Sequence, residues 1–267
     1  MTARGLLAMD LDGTLLRSDL TVSPGNQVAV AQVLEGGNFV ALATGRVHRA
    51  AARYAEHWPD HSLWMITGNG SVVRPARGGE PIYERTLERA IAAEVVRWAQ
   101  VNGLNFKIYL DDEMWVTEDR ESSRLFCQAR GIVYHVEPAL ASILPKGPTK
   151  GVLTEDPARI DLLEVEARER WGAQLSIIRS EPQYLEFMAP GVTKGTALAF
   201  LANHLGVAQA DVAAIGNERN DLAMLEWAGF GGVVANAIPA VKEQAPRVVP
   251  HHDEDGVAAF IQEWLSR

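Results

Sequence analysis

Short apolar runs alternate with helical patterns in the N-terminal third of the chain. Leu6–Met9 is a continuous apolar run that ends at a glycine-containing loop, which is typical of a strand buried on both faces. Ser23 and Pro24 supply an N-cap and a first-turn proline for the helix that follows. Two more apolar runs, Phe39–Ala43 and Leu63–Ile66, flank a second helical stretch. This repeated strand–helix–strand order predicts a parallel sheet with helices on both faces.

The order of predicted strands and helices changes between residues 84 and 188. A long helical pattern over Leu87–Val101 precedes two apolar runs, Phe106–Leu110 and Met114–Thr117, which an acidic turn separates. Strand, tight turn and strand together predict an antiparallel hairpin. Further strand and helix patterns follow as far as Phe187. This segment is therefore expected to form a separate unit of the α+β type.

The alternation of strands and helices returns after Pro190 and continues to a final helix over Gly256–Leu265. We therefore predict the α/β fold class, with a doubly wound, parallel, Rossmann-like sheet as its core. Residues 1–83 and 189–267 are predicted to form this core. Residues 84–188 are predicted to form an α+β domain inserted into it.

The composition indicates a globular protein with an acidic balance. The 267 residues include 25 Lys and Arg against 34 Asp and Glu, a formal net charge of −9, and 47% are hydrophobic. Such a chain offers no polycationic surface, so neither nucleic acid nor a membrane is expected as a partner. No apolar run approaches the ~18 residues that span a bilayer, and no signal peptide is recognised. The single Cys127 fits a reducing compartment, so the protein is expected to be cytoplasmic, with its oligomeric state open.

Candidate chemistry begins where the first predicted strand ends, at the sequence Asp10-Leu11-Asp12-Gly13-Thr14. In open α/β sheets, ligands bind outside the carboxyl ends of the strands. Two carboxylates separated by one residue can converge on one site, where one attacks an electrophile and the other moves protons. A plain surface turn is the alternative, because Asp and Gly are ordinary turn residues. The apolar strand just before the motif favours the catalytic interpretation.

Four later residues each allow a structural and a chemical interpretation. Thr44 at the end of the second strand could donate a hydrogen bond to a phosphoryl oxygen. Lys194 opens a helix, where the macrodipole does not favour a cation, so an anion is expected nearby. Asn220 and Asp221 could cap a helix, but beside the two aspartates of the first strand they indicate an oxygen-rich site suited to Mg²⁺.

Four segments in this order resemble the motifs of the haloacid dehalogenase-like phosphatases. They are Asp10–Thr14, Ala43–Arg46, Thr193–Gly195 and Gly216–Asp221. Their spacing, with an insertion between the second and the third, is similar to the Cof-type branch, whose insertion is a large α+β cap. The fourth segment departs from the family pattern, because Asn217 stands where the family usually has Asp.

The resemblance implies a Mg²⁺-dependent phosphatase that acts on small phosphorylated metabolites, such as sugar phosphates or phosphorylated cofactors. It implies that Asp10 attacks phosphorus to form an aspartyl-phosphate, and that Asp12 protonates the leaving oxygen and then activates water. Thr44 and Lys194 are expected to bind the phosphoryl group and stabilise its charge.

The resemblance also implies a ligand set for the metal. Asp10, the main-chain carbonyl of Asp12 and the side chain of Asn217 are expected to bind Mg²⁺, with Asp221 ligating directly or through water. The sequence leaves open which of the last two is the direct ligand.

Further residues are candidates for contact with the substrate or the cap. They are Gly45, Arg46, Asn69 and Asn220, whereas the specificity residues of the cap cannot be assigned. The pair His251 and His252 has no partner at ligand spacing and is expected to be exposed.

Three other functions remain compatible with the motifs. A phosphotransferase or sugar-phosphate mutase could use the same aspartyl-phosphate. A non-enzymatic phosphoaspartate receiver also combines Asp, Mg²⁺, Thr and Lys, although it needs neither the second carboxylate, Asp12, nor the large insertion. The neutral Asn217 also allows a binding protein that has lost its chemistry.

Overall fold

A computed structural model describes residues 4–267. The first segment contains β1 (Leu6–Asp10), α1 (Pro24–Glu35), β2 (Phe39–Ala43), α2 (His48–Ala55), β3 (Leu63–Thr67), β4 (Val72–Pro75) and β5 (Tyr83–Glu84). The middle segment contains α3 (Arg89–Val101), β6 (Phe106–Leu110), β7 (Glu113–Val116), α4 (Glu121–Arg130), β8 (Tyr134–Val136), α5 (Leu140–Ile143), β9 (Lys150–Thr154), α6 (Pro157–Trp171), β10 (Ser176–Glu181) and β11 (Tyr184–Met188). The last segment contains α7 (Lys194–Leu205), β12 (Val212–Gly216), α8 (Leu222–Trp227), β13 (Phe230–Val234), α9 (Pro239–Lys242), β14 (Val248–Val249) and α10 (Gly256–Leu265).

These elements belong to two compact units. The first unit comprises Met1–Arg46, Ala51–Tyr83 and Thr193–Arg267, of which residues 1–3 lie outside the described part. The second unit comprises Glu84–Val192 together with Val47–Ala50, at the start of α2. None of the helices within residues 4–267 is both long and apolar enough to cross a membrane.

The first unit is built on an eight-stranded sheet in the order β14-β13-β12-β1-β2-β3-β4-β5. The six strands from β14 to β3 run parallel. From β1 the chain adds β2 and β3 on one side, and it later returns to add β12 and β13 on the other. The strand order therefore reverses beside β1, and in open α/β sheets the crevice at such a reversal is the usual ligand site.

Both faces of this sheet are covered by helices. Leu7 and Met9 of β1 pack in a cluster that includes residues of α1 and α10. Leu6 and Ala8 point to the opposite face and pack in a cluster with residues of α7 and α8. Successive side chains of a strand alternate between its faces, so a strand between two helical layers is apolar at every position. The predicted doubly wound α/β core is confirmed.

One part of this sheet differs from the predicted strand–helix alternation. After β3 the chain turns back at once, and β4 pairs antiparallel with β3. Gly68–Gly70 forms a 3₁₀ turn between them, with positive φ angles at Asn69 (57°) and Gly70 (103°). A Cβ at Gly70 would lie 2.2 Å from the carbonyl oxygen of Thr193, so only glycine fits there.

The second unit contains a six-stranded sheet in the order β10-β11-β9-β6-β7-β8. Its pairs are antiparallel apart from β7 with β8. Phe106, Ile108 and Leu110 of β6 pack in a cluster that includes residues of α3 and α6. The intervening side chains of β6, Lys107 and Tyr109, therefore point to the opposite face of the sheet.

Candidate active site

The carboxyl ends of three adjacent parallel strands collect the residues that the sequence motifs indicate. Asp10 is the last residue of β1, Thr44 follows β2, and Asn217 follows β12. Because β1 pairs with both β2 and β12, these positions lie at one edge of the sheet, at the point where the strand order reverses.

A buried lysine bridges two carboxylates at this edge. The Lys194 ammonium lies 2.7 Å from Oδ1 of Asp10 and 2.6 Å from Oδ1 of Asp221. Lys194 is the first residue of α7, and the Thr193 side chain caps that helix in a capping box. A Cβ at Gly195 would lie 2.3 Å from the carbonyl oxygen of Ala223, so this glycine lets the start of α7 approach α8. The anion expected beside Lys194 is thus supplied by the protein's own carboxylates.

Burial and pairing act in opposite directions on these groups. Burial raises the pKa of Asp10, Lys194 lowers it and Asp221 raises it, with a result of about 7. Burial alone would lower the pKa of Lys194, but the Asp10 and Asp221 carboxylates together raise it above its usual range. Because two carboxylates share one ammonium, a further cation beside them would be electrostatically favourable.

The carboxylate of Asp221 is fully engaged by the protein. Its Oδ1 accepts from Lys194, and its Oδ2 accepts from the backbone N–H groups of Asn217 (2.8 Å) and Glu218 (3.0 Å). Asp221 is 0% exposed. A Cβ at Gly216 would lie 2.5 Å from the Asp221 carboxyl carbon, which explains the glycine at the end of β12. Asp221 therefore fixes the loop that carries Asn217.

The side chain of Asn217 is held against the first motif. The Thr14 hydroxyl donates to Asn217 Oδ1 at 3.1 Å. Gly13, with a φ of 74°, leaves the space in which the Asn217 amide nitrogen lies. Asn236, just after β13, donates to the Gly13 carbonyl at 2.7 Å. The sequence places Thr14 in the first motif without a role of its own. Asn236 was not identified, although it follows a strand of the same sheet, where ligand-binding residues are expected.

Asp12 and Arg46 form a two-pronged ion pair. Arg46 Nε lies 2.8 Å from Asp12 Oδ2, and Nη2 lies 2.5 Å from Oδ1. The guanidinium also contacts Tyr54, donating to its hydroxyl at 3.2 Å. Although burial opposes it, the hydrogen bond from Arg46 to Asp12 raises the Arg46 pKa. Arg46, expected as a substrate contact, thus contacts the carboxylate expected to act as acid and base.

Three of the expected substrate contacts lie together. The Asn220 amide donates to Oδ1 of Asn69 at 3.0 Å, and a Cβ at Gly45 would lie 2.9 Å from that same oxygen. Asn69 is 1% exposed. Within residues 4–267, the buried Oδ1 of Asn220 has no hydrogen-bond partner. It is therefore an acceptor still available to a donor group.

The expectation for the histidine pair is wrong for one of its members. His252 is buried, and its Nδ1 lies 2.7 Å from the carbonyl oxygen of Leu16. Its backbone N–H donates to Oδ1 of Asn236 at 3.1 Å. His252 therefore supports the loop behind the first motif, a contact between residues that are far apart in the sequence.

The donor atoms at this edge are suited to a hard divalent cation. The Asp10 carboxylate and the side-chain oxygen of Asn217 extend from adjacent strands, and the main-chain carbonyl of Asp12 lies two residues beyond Asp10. Oxygen ligands of this kind are what Mg²⁺ and Ca²⁺ prefer. The residues present therefore fit such an ion.

Comparison with known proteins agrees with this geometry. Residues 7–261 match the model of a haloacid dehalogenase-like hydrolase family. The chain is similar to proteins named HMP-PP phosphatase from Serratia proteamaculans (31% identity, 97% of this chain and 95% of the relative) and Cronobacter sakazakii (30%, covering 97% and 94%). It also resembles solved structures of a Thermotoga maritima protein (TM-score 0.85, 26% identity, 97% of each chain) and of a haloacid dehalogenase-like hydrolase from Bacteroides thetaiotaomicron (0.88, 25%, 97% and 99%). The chain therefore belongs to the haloacid dehalogenase-like hydrolases, as a phosphatase of their Cof-type branch.

Proposed function

We propose that this phosphatase is Mg²⁺-dependent and hydrolyses phosphate monoesters of small metabolites through an aspartyl-phosphate on Asp10. The observation that supports this most is the buried cluster in which Lys194 bridges Asp10 and Asp221 where the strand order of the sheet reverses. A nucleophilic carboxylate beside a fixed cation is what attack on an anionic phosphoryl group requires.

Asp10 supplies the nucleophile. One oxygen of its carboxylate attacks phosphorus, a new P–O bond forms, and the bond between phosphorus and the ester oxygen breaks. Lys194 holds the other carboxylate oxygen, so the side chain is oriented before substrate arrives. In the second half of the reaction water attacks the same phosphorus, which releases inorganic phosphate and regenerates Asp10.

Asp12 moves the protons. It donates a proton to the departing ester oxygen and accepts one from the attacking water. In its pair with Arg46 both carboxylate oxygens are engaged, so Arg46 fixes the orientation of Asp12. This contact makes Arg46 a positioning residue for Asp12.

Thr44 and Lys194 bind the phosphoryl group. The Thr44 hydroxyl oxygen accepts from the backbone N–H of Arg46 at 3.1 Å, which leaves its own hydrogen free to donate to a phosphoryl oxygen. The positive charge of Lys194 offsets the negative charge on the transferring group. Because the Lys194 ammonium is already in place, no rearrangement is needed during the reaction.

Asp10, the main-chain carbonyl of Asp12 and Asn217 would hold Mg²⁺. A bound Mg²⁺ would neutralise charge on the phosphoryl oxygens and favour the ionised form of Asp10. Because both oxygens of Asp221 already have protein partners, we assign the direct contact to Asn217 and the orienting role to Asp221. The Thr14 hydroxyl fixes which way the Asn217 amide faces.

A small phosphorylated metabolite is the proposed substrate. The relatives named HMP-PP phosphatase make that compound a first candidate. The identity of about 30% leaves sugar phosphates and phosphorylated cofactors as further candidates, so a panel of such compounds is the appropriate screen.

The test is phosphate release by wild type, Asp10→Asn and Asp12→Asn with Mg²⁺ present. Asp10→Asn should lose about 10⁴-fold or more of kcat, because it removes the nucleophile and preserves the shape. Asp12→Asn should lose less on nitrophenyl phosphate than on an alkyl phosphate, because a nitrophenolate leaves without a proton. Glu263→Gln, an exposed change on α10, is the matched control and should keep wild-type activity. Turnover by Asp10→Asn at the wild-type rate would refute the proposal.

A further inference from the structure

The second unit contains a buried lysine that faces away from its main hydrophobic cluster. Lys107 lies in the middle of β6, with the cluster residues Phe106 and Ile108 on either side. It points to the face that also carries Tyr109 and, across the strand pair, Val152 of β9. Only 7% of Lys107 is exposed.

Within residues 4–267, the ammonium of Lys107 has neither a hydrogen bond nor an ion pair. Its neighbours are two aromatic rings: the Phe126 centroid lies 5.6 Å from Nζ and the Tyr184 centroid 6.0 Å. A buried cation without a counter-charge is costly, and proteins keep few of them.

The carboxylate of Glu186, which lies on this face, is already occupied. Glu186 of β11 binds Lys150 at 2.9 Å through Oε2 and accepts from Ser180 at 2.8 Å through Oε1. Lys150 is a diagonal neighbour of Lys107, because Val152 is the residue directly opposite Lys107. The second unit therefore concentrates more positive than negative charge around Lys107.

The groups that surround Lys107 come from three neighbouring elements and its own strand. They are Cys127 and Arg130 of α4, Lys150 of β9, Tyr184 and Glu186 of β11, and Tyr109 of β6. The pKa of Lys107 is lowered to about 8: burial is the largest cause, Cys127 acts in the opposite direction, and Lys150 and Arg130 add to the lowering. At neutral pH the side chain is therefore still a cation.

We propose that Lys107 is the centre of an anion-binding site in the second unit. It would bind an oxyanion, the phosphate or carboxylate group of a small molecule. Phe126 and Tyr184 would flank the bound group, and Arg130, whose guanidinium carbon lies 3.9 Å from the Phe126 centroid, adds positive charge nearby. The oxyanion can belong to the substrate, as a second acidic group beyond the phosphoester, or to a separate small molecule.

The first arm of the test measures binding without catalysis. Lysine labelled with ¹³C at Cε is titrated with pH by NMR in the Asp10→Asn background, and the Lys107 resonance is assigned by its loss in Lys107→Met. The titration midpoint should lie near pH 8 without anion. Inorganic phosphate or pyrophosphate should raise it by about 1–3 units, because a nearby negative charge favours the ammonium. The exposed Lys146 is the internal control and should not shift.

The second arm identifies the source of the anion and rests on the proposed function. It compares kcat/KM for a sugar bisphosphate with that for nitrophenyl phosphate. If the anion is part of the substrate, this ratio should fall about tenfold or more in Lys107→Met, because the bisphosphate loses one charged contact. Lys107→Arg should recover most of it, and Lys146→Met should leave the ratio unchanged.

The two arms fail separately. A Lys107 midpoint that neither phosphate nor pyrophosphate moves would overturn the anion site, whatever the kinetics show. A shifted midpoint with an unchanged kcat/KM ratio supports the site and assigns it to a separate molecule. Turnover by Asp10→Asn would refute the proposed mechanism and leave the binding result intact.

Discussion

Lys194 in the first unit and Lys107 in the second are both buried, but the surroundings of their ammonium groups are opposite in charge. Lys194 of the first unit is 1% exposed and lies within 2.7 Å of two carboxylates. Lys107 of the second unit is 7% exposed, and its ammonium faces two aromatic rings without an ion pair to any carboxylate among residues 4–267. Burial lowers the pKa of both, yet the pKa of Lys194 ends above its usual range and that of Lys107 falls to about 8.

The difference shows that burial alone does not determine what a lysine does in a fold. With two carboxylates, Lys194 is a permanent charge built into a site, ready before substrate arrives. Without one, Lys107 costs folding free energy and leaves a charge that a ligand can satisfy. The same substitution to methionine should therefore have opposite effects on stability at the two positions.

The largest effect is expected for Lys194→Met. Two buried carboxylates, those of Asp10 and Asp221, lose their shared counter-charge, which should destabilise the protein by about 3–5 kcal/mol at pH 7. Urea unfolding measures this change. Added Mg²⁺ should restore part of the stability if the carboxylate site binds the ion. A variant as stable as wild type would show that the buried ion pairs contribute little.

Lys107→Met should stabilise the protein at neutral pH. A pKa of about 8 in the folded state against 10.5 in a free lysine corresponds to about 3 kcal/mol of destabilisation by the charge. Below pH 8 both states of wild type carry the proton, so the gain is complete. Between pH 8 and about 10.5 Lys107 is protonated only in the unfolded state. The wild-type protein therefore becomes more stable as pH rises, and the stability advantage of Lys107→Met disappears.

Urea unfolding of wild type and Lys107→Met across this pH range provides the measurement. Lys107→Arg is the matched control, because it retains a charge and should bring no gain. A methionine variant that is less stable than wild type at pH 7 would mean that the lysine has a favourable partner in solution.

A smaller effect is expected at Asn217, where a substitution can add one negative charge to the carboxylate site around Lys194. Asn217→Asp adds a carboxylate to the proposed metal site and should lower the Mg²⁺ concentration for half-maximal activity several-fold. Asn217→Ala removes the ligand oxygen and should raise it. Activity titrated against Mg²⁺ gives both midpoints. If neither variant moves the midpoint, Asn217 is not a ligand and Asp221 must be considered instead.

Much of the first unit could be predicted because short stretches of its sequence indicate the same strands and helices that the structure contains. The apolar run of β1, the proline that opens α1 and the lysine that opens α7 each indicate their element from a few neighbouring residues. The antiparallel β4 was missed because its reversal depends on the conformations of Asn69 and Gly70, which an apolar pattern does not record.

Contacts within the site were harder to predict than its members. Asp12 and Arg46 are 34 residues apart, and Thr14 and Asn217 are 203 apart, so their pairing depends on the finished sheet. Lys107 had a local signal, a charged residue inside the apolar run Phe106–Leu110. The lack of an ion-pair partner for it among residues 4–267 is a property of the surrounding fold.

The most direct test of the proposed mechanism is to find the phosphoryl group on the protein. The Asp12→Asn variant, in which hydrolysis of the intermediate should be slow, is mixed with substrate and Mg²⁺, quenched in acid, and mapped by mass spectrometry. We predict a phosphoryl adduct on the peptide that carries Asp10, and no adduct in the double variant that combines Asp12→Asn with Asp10→Asn. An adduct on another residue, or turnover with no adduct on Asp10 at any time, would contradict it.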